Sequence, residues 1–316
     1  MRALLTLILV ASTGFAVYWA VAAQVIMRYG PGFLAEAHHV QARHGTVTGF
    51  PMAFRTELED PEWQDAHGSL LWRTPRLEIQ TPSYLPNRVR LNFPVSQMLE
   101  ISGHSLRLET ARQTITAVLR ADLTLLEGQI EIAGLQSTPT VIMAGLEMLH
   151  ATLVQNDAGQ YAASLEVAEL LLSDDLRQHI DPAQALPARI ENISLDAGLT
   201  FTGPIALRDA APSLQQLDLT SLRLDWGDLG LTLSGAVQRS DSGLFDGQLT
   251  LHSKTWQGLH KLLGASDLLE RDAVMLAGMF LAAQADRETG EITLPLSVTQ
   301  STIALGPFVL GHLPGL

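Results

Sequence analysis

The sequence predicts a mostly β fold of the α+β class: an N-terminal transmembrane helix, then a large, mainly antiparallel curved sheet covered by a C-terminal apolar helix. Three observations predict it. The N-terminal run is uncharged, apolar and polar residues alternate with period two over most of the chain, and one apolar stretch near the C-terminus has helical spacing. The 316 residues suffice for about two average domains or for one large β-rich domain.

The first segment is predicted to be a membrane anchor. Residues 3–27 carry no charge and lie between Arg2 and Arg28. About 20 helical residues span the hydrocarbon core of a bilayer, so the run is long enough to cross one. Arg2 and the amino terminus give only a weak inside-positive signal against Arg28.

A cleavable signal peptide is the alternative, because small residues at 20–23 offer cleavage spacing. We favour the uncleaved anchor, since the apolar run continues to Met27 and exceeds the usual signal-peptide core of about 7–15 residues. The chain is therefore divided into residues 1–28, anchor or signal peptide, and residues 29–316, a β-rich domain. Two lobes with a boundary near 181–190 are a further possibility, because that stretch resembles a loop.

Alternation predicts a β-meander in the body of the chain. Apolar residues occupy every second position over 193–201, over 222–226 and over 229–233. Gly227-Asp228 separates the last two runs and indicates a hairpin. Two further turns are predicted at Asp157-Ala158-Gly159 and at Asp241-Ser242-Gly243. Strands that follow strands with few helices between them favour antiparallel pairing.

Two other elements complete the body. A long strand is predicted over 115–125, with a break at Gly128, and a short helix over 174–180.

The C-terminal helix is expected to follow an N-cap at Ser266. Its apolar residues recur at helical spacing, and Met275 and Met279 make it apolar nearly all round, which is typical of a helix buried on most sides. We expect it to cover the apolar face of the sheet. If the core beneath it is incompletely filled, a pocket for an apolar ligand would be lined by Trp256, Met275, Met279 and Phe280, because methionine adapts to irregular apolar shapes. Ordinary core packing is the simpler interpretation of the same residues.

Composition excludes several classes of function. Asp+Glu total 33 against 20 Lys+Arg, giving a net charge of −13, and no basic stripe is present, so we expect no nucleic-acid partner. Beyond residue 27 the charge is −14, which anionic lipid surfaces would repel. The absence of cysteine excludes disulfides, zinc-thiolate sites, iron–sulfur clusters and cysteine nucleophiles.

No catalytic constellation is recognisable. The sequence has no Gly-x-Ser-x-Gly elbow, no His-Glu-x-x-His helix and no glycine-rich phosphate loop. We therefore predict no enzyme, no cofactor and no metal, and a hydrolase is the least favoured hypothesis.

Several short strings occur in a recognisable order along nearly the whole chain. They are Tyr18-Trp19, Thr48-Gly49-Phe50-Pro51, Leu71-Trp72-Arg73-Thr74-Pro75, Tyr84-Leu85-Pro86-Asn87-Arg88-Val89, Leu294-Pro295-Leu296 and Ile303-Ala304-Leu305-Gly306-Pro307. Together they resemble the proteobacterial family catalogued as domain of unknown function 2125. The resemblance implies an exported, membrane-anchored envelope protein and supplies no catalytic residues.

The anchor, the acidic body and the missing cysteines favour a single-pass inner-membrane protein with most of its chain in the periplasm. Two hypotheses for its role follow. In the first, residues 29–316 form an envelope domain that binds lipid or another apolar ligand on one face of its sheet. In the second, the domain has a packed core without ligand and acts structurally or binds envelope proteins.

Overall fold

The computed structural model describes residues 13, 15–28, 40–42, 44–65, 69–101, 103–140, 143–181, 184, 186–207, 212–265, 271–306 and 308–313. The chain forms two compact units. Unit 1 comprises Met1–Gly128 with Ala206–Ala210, and unit 2 comprises Gln129–Ile205 with Ala211–Leu316. The division therefore falls at residue 128 rather than near 181–190. That stretch lies inside unit 2, because the strands on either side of it pair along most of their lengths.

The described part of unit 1 contains ten short strands. They are β1 (Val40–Gln41), β2 (His44–Thr48), β3 (Ala53–Glu59), β4 (Glu62–Gln64), β5 (Leu70–Arg73), β6 (Arg76–Pro82), β7 (Arg88–Asn92), β8 (Ser96–Ile101), β9 (His104–Glu109) and β10 (Arg112–Leu119). One set pairs antiparallel in the order β2-β3-β6-β7-β10. The other set pairs antiparallel in the order β1-β4-β5-β8-β9.

The two sets are halves of the same bent strands. β3 continues into β4 after Asp60 and Pro61, and the neighbouring strand breaks at the same level, at Thr74 and Pro75. Backbone bonds from Asp60 N to Pro75 O (3.0 Å) and from Thr74 N to Pro61 O (3.2 Å) join the two breaks. The kink thus crosses the sheet as one line, which the period-two pattern alone does not reveal.

Helix α1, over residues 15–28, packs on unit 1 through its aromatic side chains. The Trp19 ring stacks on Phe54 with 5.4 Å between centroids, and Trp19 Nε1 donates to Ala53 O at 3.1 Å. Ala23, one turn further along, is buried. Most of the predicted anchor before Phe15 lies outside the described residues. Among the described residues, no helix is both long and apolar enough to cross a bilayer.

Unit 2 is an antiparallel meander, and three helices lie within its described residues. Its strands are β11 (Leu125–Thr138, which begins in unit 1), β12 (Met143–Gln155), β13 (Tyr161–Leu172), β14 (Arg189–Phe201), β15 (Leu214–Trp226), β16 (Leu229–Arg239), β17 (Phe245–Ser253), β18 (Ile292–Thr299), β19 (Thr302–Leu305) and β20 (Phe308–His312). From β12 to β20 each strand pairs with the next. Helix α2 (Asp174–Ile180) follows β13, and helices α3 (Trp256–Ala265) and α4 (Arg271–Gln284) follow β17.

The antiparallel, mostly β fold and several predicted elements are confirmed. Gly227-Asp228 joins β15 to β16, where Trp226 and Leu229 form the last registered pair. The predicted helix over 174–180 is α2, capped by Ser173 Oγ, which accepts from Leu176 N at 3.1 Å.

The strand predicted over 115–125 is interrupted earlier than expected. β10 ends at Leu119 and β11 begins at Leu125, then runs through Gly128 without a break. The turn between them forms because Leu123 adopts a positive φ of 67° and Asp122 Oδ1 accepts from Thr124 N at 3.0 Å.

Candidate functional site

An aliphatic surface occupies one face of strands β13–β16 in unit 2. Residues paired directly across neighbouring strands point to the same side of a sheet. The register places Leu165, Leu195, Leu222 and Leu233 in one row across the four strands. We call the surface formed by this row and its neighbours the apolar face. Its members are Leu165, Val167, Ile193, Leu195, Leu217, Leu219, Leu222, Leu224, Leu231 and Leu233.

A bulge in β15 keeps this face continuous. Leu219 and Leu222 are three positions apart and would point to opposite sides of a regular strand. The bulge between them adds one residue to β15, so both side chains point to the apolar face. Opposite Leu219 lies Gly235 at φ 135°, where a Cβ would approach Gln248 O to 2.3 Å. Residue 235 of β16 must therefore be glycine, because β17 leaves no room for a Cβ there.

Most side chains of the apolar face are half-buried, Val167 and Leu219 are buried, and burial of the central row becomes complete on β18. The row through Leu233 continues to Leu251 and then to Leu294, which has no exposed surface. Leu259 of α3 and Leu281 of α4 belong to the same core cluster as Leu294. Helices thus cover the sheet at its β17–β18 side. The row Leu165, Leu195, Leu222 and Leu233 stays partly accessible to solvent on β13–β16.

Buried aromatic residues close both ends of the apolar face. At one end Trp226 Nε1 donates to Pro187 O at 2.7 Å, beside the cluster that α2 covers. At the other end the Tyr161 hydroxyl oxygen accepts from Ile205 N at 3.0 Å, and its ring meets Phe201 edge-on. The indole N–H of Trp226 and the hydroxyl of Tyr161 are therefore both hydrogen-bonded to backbone groups.

The length of the face follows from the strands. On β15 the members of the face run from Leu217 to Leu224, seven residues apart, which at about 3.3 Å per residue with one bulge gives roughly 20 Å. One leaflet of a bilayer has a hydrocarbon thickness of about 15 Å, half of the ~30 Å core. The face is therefore long enough to hold an acyl chain lying along the strands.

The four predicted ligand-lining residues are placed differently. Trp256 is half-buried and packs against the core cluster at the start of α3. Met275 and Met279 are 63% and 68% exposed, and Phe280 is exposed beside them. The expectation that α4 is buried on most sides is wrong: over residues 274–284, Ala277, Gly278 and Leu281 are buried and most of the other side chains are exposed. The expected N-cap at Ser266 lies outside the described residues, and ligand binding by the four residues stays a prediction.

Unit 1 contains a polar groove of about 570 Å³ along its kink. It is lined by Gln41, Ala42, Asp60, Pro61, Glu62, Arg73, Thr74, Pro75, Ser96, Gln97 and Met98. The buried amide of Gln97 accepts from Trp72 Nε1 at 2.9 Å and donates to Gln113 Oε1 at 2.7 Å. Because its hydrogen bonds are used within the sheet, Gln97 secures the kink.

Two carboxyl groups have perturbed pKa values, and both lie in turns. Backbone and side-chain hydrogen bonds from Thr124 lower the pKa of Asp122 below its usual 3.8. Backbone N–H groups of Thr289 and Glu288 lower the pKa of Asp286 in the same way. Both groups are exposed and stabilise turn geometry. In the part of the chain that the structure describes, no three His, Asp or Glu side chains are grouped as metal ligands.

The fold and the apolar face define an antiparallel β-meander protein with an aliphatic, partly open sheet surface. A family model described as an uncharacterized protein conserved in bacteria, domain of unknown function 2125, matches residues 34–314. The chain belongs to this family, which confirms the resemblance drawn from its short motifs. No curated protein and no solved structure matches the chain significantly.

Sequence reasoning identified the strands of the apolar face without assigning them to a site. The available signal was the recurrence of apolar residues, mostly leucine, at every second position in consecutive strands, as in 193–199, 222–224 and 229–233. What the sequence lacked was the register, which aligns these leucines across β13–β16.

Proposed function

We propose that the chain is a membrane-attached bacterial envelope protein that binds lipid acyl chains along the apolar face of unit 2. One observation carries the proposal: the row Leu165, Leu195, Leu222 and Leu233 is aliphatic throughout and only half-buried. Covering the part of these side chains that is still accessible to solvent with an apolar partner gains about 25 cal/mol per Å² of apolar area buried.

The composition of the face favours a hydrocarbon chain over a protein surface. Protein interfaces are enriched in Tyr, Trp, Phe, Met and Arg, whereas the members of the apolar face are Leu, Ile and Val. A flexible acyl chain needs no directional partners, and this surface offers none. Its length of roughly 20 Å exceeds the hydrocarbon thickness of one leaflet, about 15 Å.

Attachment to a membrane is proposed from the N-terminal segment. Residues 3–27 are uncharged. Because Trp19 and Ala23 pack on unit 1, the part of this run before Tyr18 is the part that would enter the bilayer. Tyr18 and Trp19 of α1 contact Phe54 of β3, so cleavage after Ala22 or Ala23 would remove contacts that unit 1 makes with its own helix. These contacts favour an uncleaved anchor over a signal peptide. The intact mass of the protein isolated from cells tests this. The mass of the full-length chain is expected. The mass of a chain that starts after residue 22 or 23 would exclude the anchor.

The ligand proposal is tested on the full-length protein purified from the envelope of an expressing bacterium. Native mass spectrometry with lipid extraction is expected to find phospholipid at a fixed stoichiometry. The Leu195→Asn and Leu222→Asn variants place amides on the apolar face. Each variant is expected to lose most of the bound phospholipid. Arg223→Gln, next to Leu222 and pointing to the opposite face, is the matched control and is expected to retain it.

Wild-type protein free of lipid, in a preparation whose circular dichroism shows an intact sheet, would contradict acyl-chain binding. Equal lipid in the Leu195→Asn variant and the control would place the ligand elsewhere, with α4 as the next surface to examine.

The partner-binding alternative is favoured by one separate observation. The outward side of α4 exposes Met275, Leu276, Met279 and Phe280 side by side. Methionine and phenylalanine are enriched in protein interfaces, so this side of the helix would suit another envelope protein. Crosslinking in intact membranes through a photoreactive residue at position 279 is expected to yield one repeatable product if this alternative holds.

The periplasmic location is a further part of the proposal. The chain has no cysteine, so a single Ser242→Cys variant in the exposed β16–β17 turn reports accessibility without background. A thiol reagent that crosses the outer membrane but not the inner membrane is expected to label it in whole cells. Labelling only after inner-membrane lysis would place unit 2 in the cytoplasm.

A further inference from the structure

One end of unit 1 carries a group of exposed apolar side chains on two loops. Phe50 and Met52 lie between β2 and β3, and Tyr84 and Leu85 lie between β6 and β7; all four are exposed. Ser83 joins the loops, because its N donates to Met52 O at 3.0 Å and its Oγ donates to Pro51 O at 2.7 Å. We call the surface formed by Phe50, Met52, Tyr84 and Leu85 the apolar tip.

Helix α1 brings its own aromatic residues to the same end. The Trp19 ring meets Phe50 edge-on at 5.4 Å, and the Tyr18 hydroxyl lies 3.5 Å from Ser83 O. Both residues are therefore beside the apolar tip, and Tyr18 is itself exposed. Trp and Tyr are enriched where proteins cross the membrane–water interface, because their rings combine an apolar body with a polar group.

The length of the uncharged sequence before this aromatic pair is short for a bilayer. Residues 3–17 number fifteen, which in helical form reach about 22 Å at 1.5 Å per residue. The hydrocarbon core is about 30 Å thick. A chain that spans the core must therefore draw Tyr18, Trp19 and the surface beside them into the interfacial region, or thin the bilayer locally.

The charges around the tip differ in sign from those of the whole chain. Within residues 48–55, 80–90 and 117–124, which form this end of the sheet, four residues are basic and one is acidic. They are Arg55, Arg88, Arg90, Arg120 and Asp122. The chain as a whole carries −13. Juxtamembrane arginines are attracted to anionic lipid headgroups by about 1 kcal/mol each.

We propose that the apolar tip lies in the headgroup region of an anionic bilayer, with Tyr18 and Trp19 marking its depth. Phe50, Met52, Tyr84 and Leu85 insert among the headgroups, and the arginines behind them contact lipid phosphates. The proposal rests on the membrane attachment in the proposed function and is independent of acyl-chain binding by unit 2. It fixes which end of unit 1 faces the lipid.

The test uses full-length protein in vesicles and single cysteines, which the cysteine-free chain makes unambiguous. Met52→Cys and Leu85→Cys place an environment-sensitive fluorophore on the tip. Val95→Cys is the matched control, because Val95 is as exposed as Met52 (64% and 65%) and lies at the kink. The eight residues of β10 separate the kink from the tip, by roughly 26 Å.

In vesicles of phosphatidylglycerol and phosphatidylethanolamine, lipids with a headgroup-level quencher are expected to quench the two tip probes at least threefold more than the control probe. Arg88→Gln combined with Arg90→Gln is expected to reduce that quenching, as is replacement of the anionic lipid by phosphatidylcholine. Equal quenching at positions 52, 85 and 95 would overturn the proposal. So would tip probes that are blue-shifted without quenching, since a protein surface would then cover them.

Flotation of the same samples separates this proposal from the one it rests on. Protein that floats with the vesicles while its tip probes stay unquenched retains the anchor and overturns the tip alone. Protein that does not float overturns both the anchor and the tip.

Discussion

Two leucines in one cross-strand row should differ in their contribution to stability if the apolar face is open. Leu294 on β18 is fully buried beneath the helices, and Leu222 on β15 is half-buried. The register connects them through Leu233 and Leu251. Substitution of either by alanine removes the same atoms from the same sheet, so the comparison isolates the effect of the covering layer.

The expected magnitudes differ about threefold. Leu→Ala at a fully buried position costs about 2–5 kcal/mol, and we take about 3 kcal/mol for Leu294 because helix and sheet atoms surround it. At Leu222 the lost apolar burial is smaller and no closed cavity remains, so about 1 kcal/mol is expected. In a unit of this size, each kcal/mol of lost stability lowers the unfolding midpoint by about 3 °C. We therefore expect midpoint shifts of about 9 °C for Leu294→Ala and about 3 °C for Leu222→Ala.

The assay is thermal unfolding of delipidated full-length protein, followed by the circular dichroism of the sheet. Phospholipid at about 100 times its dissociation constant should then stabilise the wild type by about 2.7 kcal/mol. This gain should shrink in Leu222→Ala and persist in Leu294→Ala. Equal midpoint losses in the delipidated variants would refute the reasoning, because they would mean that β15 is covered as completely as β18.

Two further predictions concern turns and close contacts in unit 2. Because hydrogen bonds lower the pKa of Asp286, its carboxylate stabilises the turn above the unfolded pKa of about 3.8 and loses this effect as the pH falls through the lowered value. Asp286→Asn should therefore lower the unfolding midpoint at neutral pH, and the difference from the wild type should vanish in acid; a difference that stays constant with pH would contradict this. Gly235→Ala should lower the free energy of unfolding by more than about 3 kcal/mol, because the added Cβ would lie 2.3 Å from Gln248 O at a positive φ. Gly203→Ala is the control: a Cβ there meets open space, and the effect should be nearly neutral. Chemical denaturation of both variants checks this, and a mild effect at Gly235 would mean that β16 and β17 separate easily.

The sequence predicted unit 2 better than unit 1 for a physical reason. In unit 2, long strands with one apolar face produce a period-two pattern, and short polar steps such as Gly227-Asp228 mark the hairpins. In unit 1 every strand is interrupted at the kink, so few runs are long enough to show a period. The kink depends on bonds between residues distant in sequence, such as Asp60 N to Pro75 O, which local patterns do not encode.

The candidate sites illustrate the same limit. An apolar helix such as α4 is consistent with burial on any side, and only the packing of Ala277 and Leu281 determines that Met275 and Met279 face outward. The apolar tip consists of two short segments more than thirty positions apart, joined through Ser83. Neither segment is unusual by itself, so a sequence window contains no signal for their combination.

The expectation that anionic lipid surfaces repel the chain rests on its net charge, whereas the tip proposal rests on the charges near one end of unit 1. A chain of −13 is expected to be repelled by anionic headgroups, but screening limits charge interactions to about 8–10 Å at physiological salt. A lipid surface therefore interacts mainly with the protein charges that lie within this screening distance. At the apolar tip the nearby charges are mostly arginines, whereas the far half of unit 1 carries carboxylates such as Glu59, Glu62 and Glu100. Such a distribution orients a molecule: the acidic half is repelled while the basic end is attracted. If the tip lies on the bilayer as proposed, the excess of acidic residues strengthens the orientation of unit 1 and does not oppose its attachment.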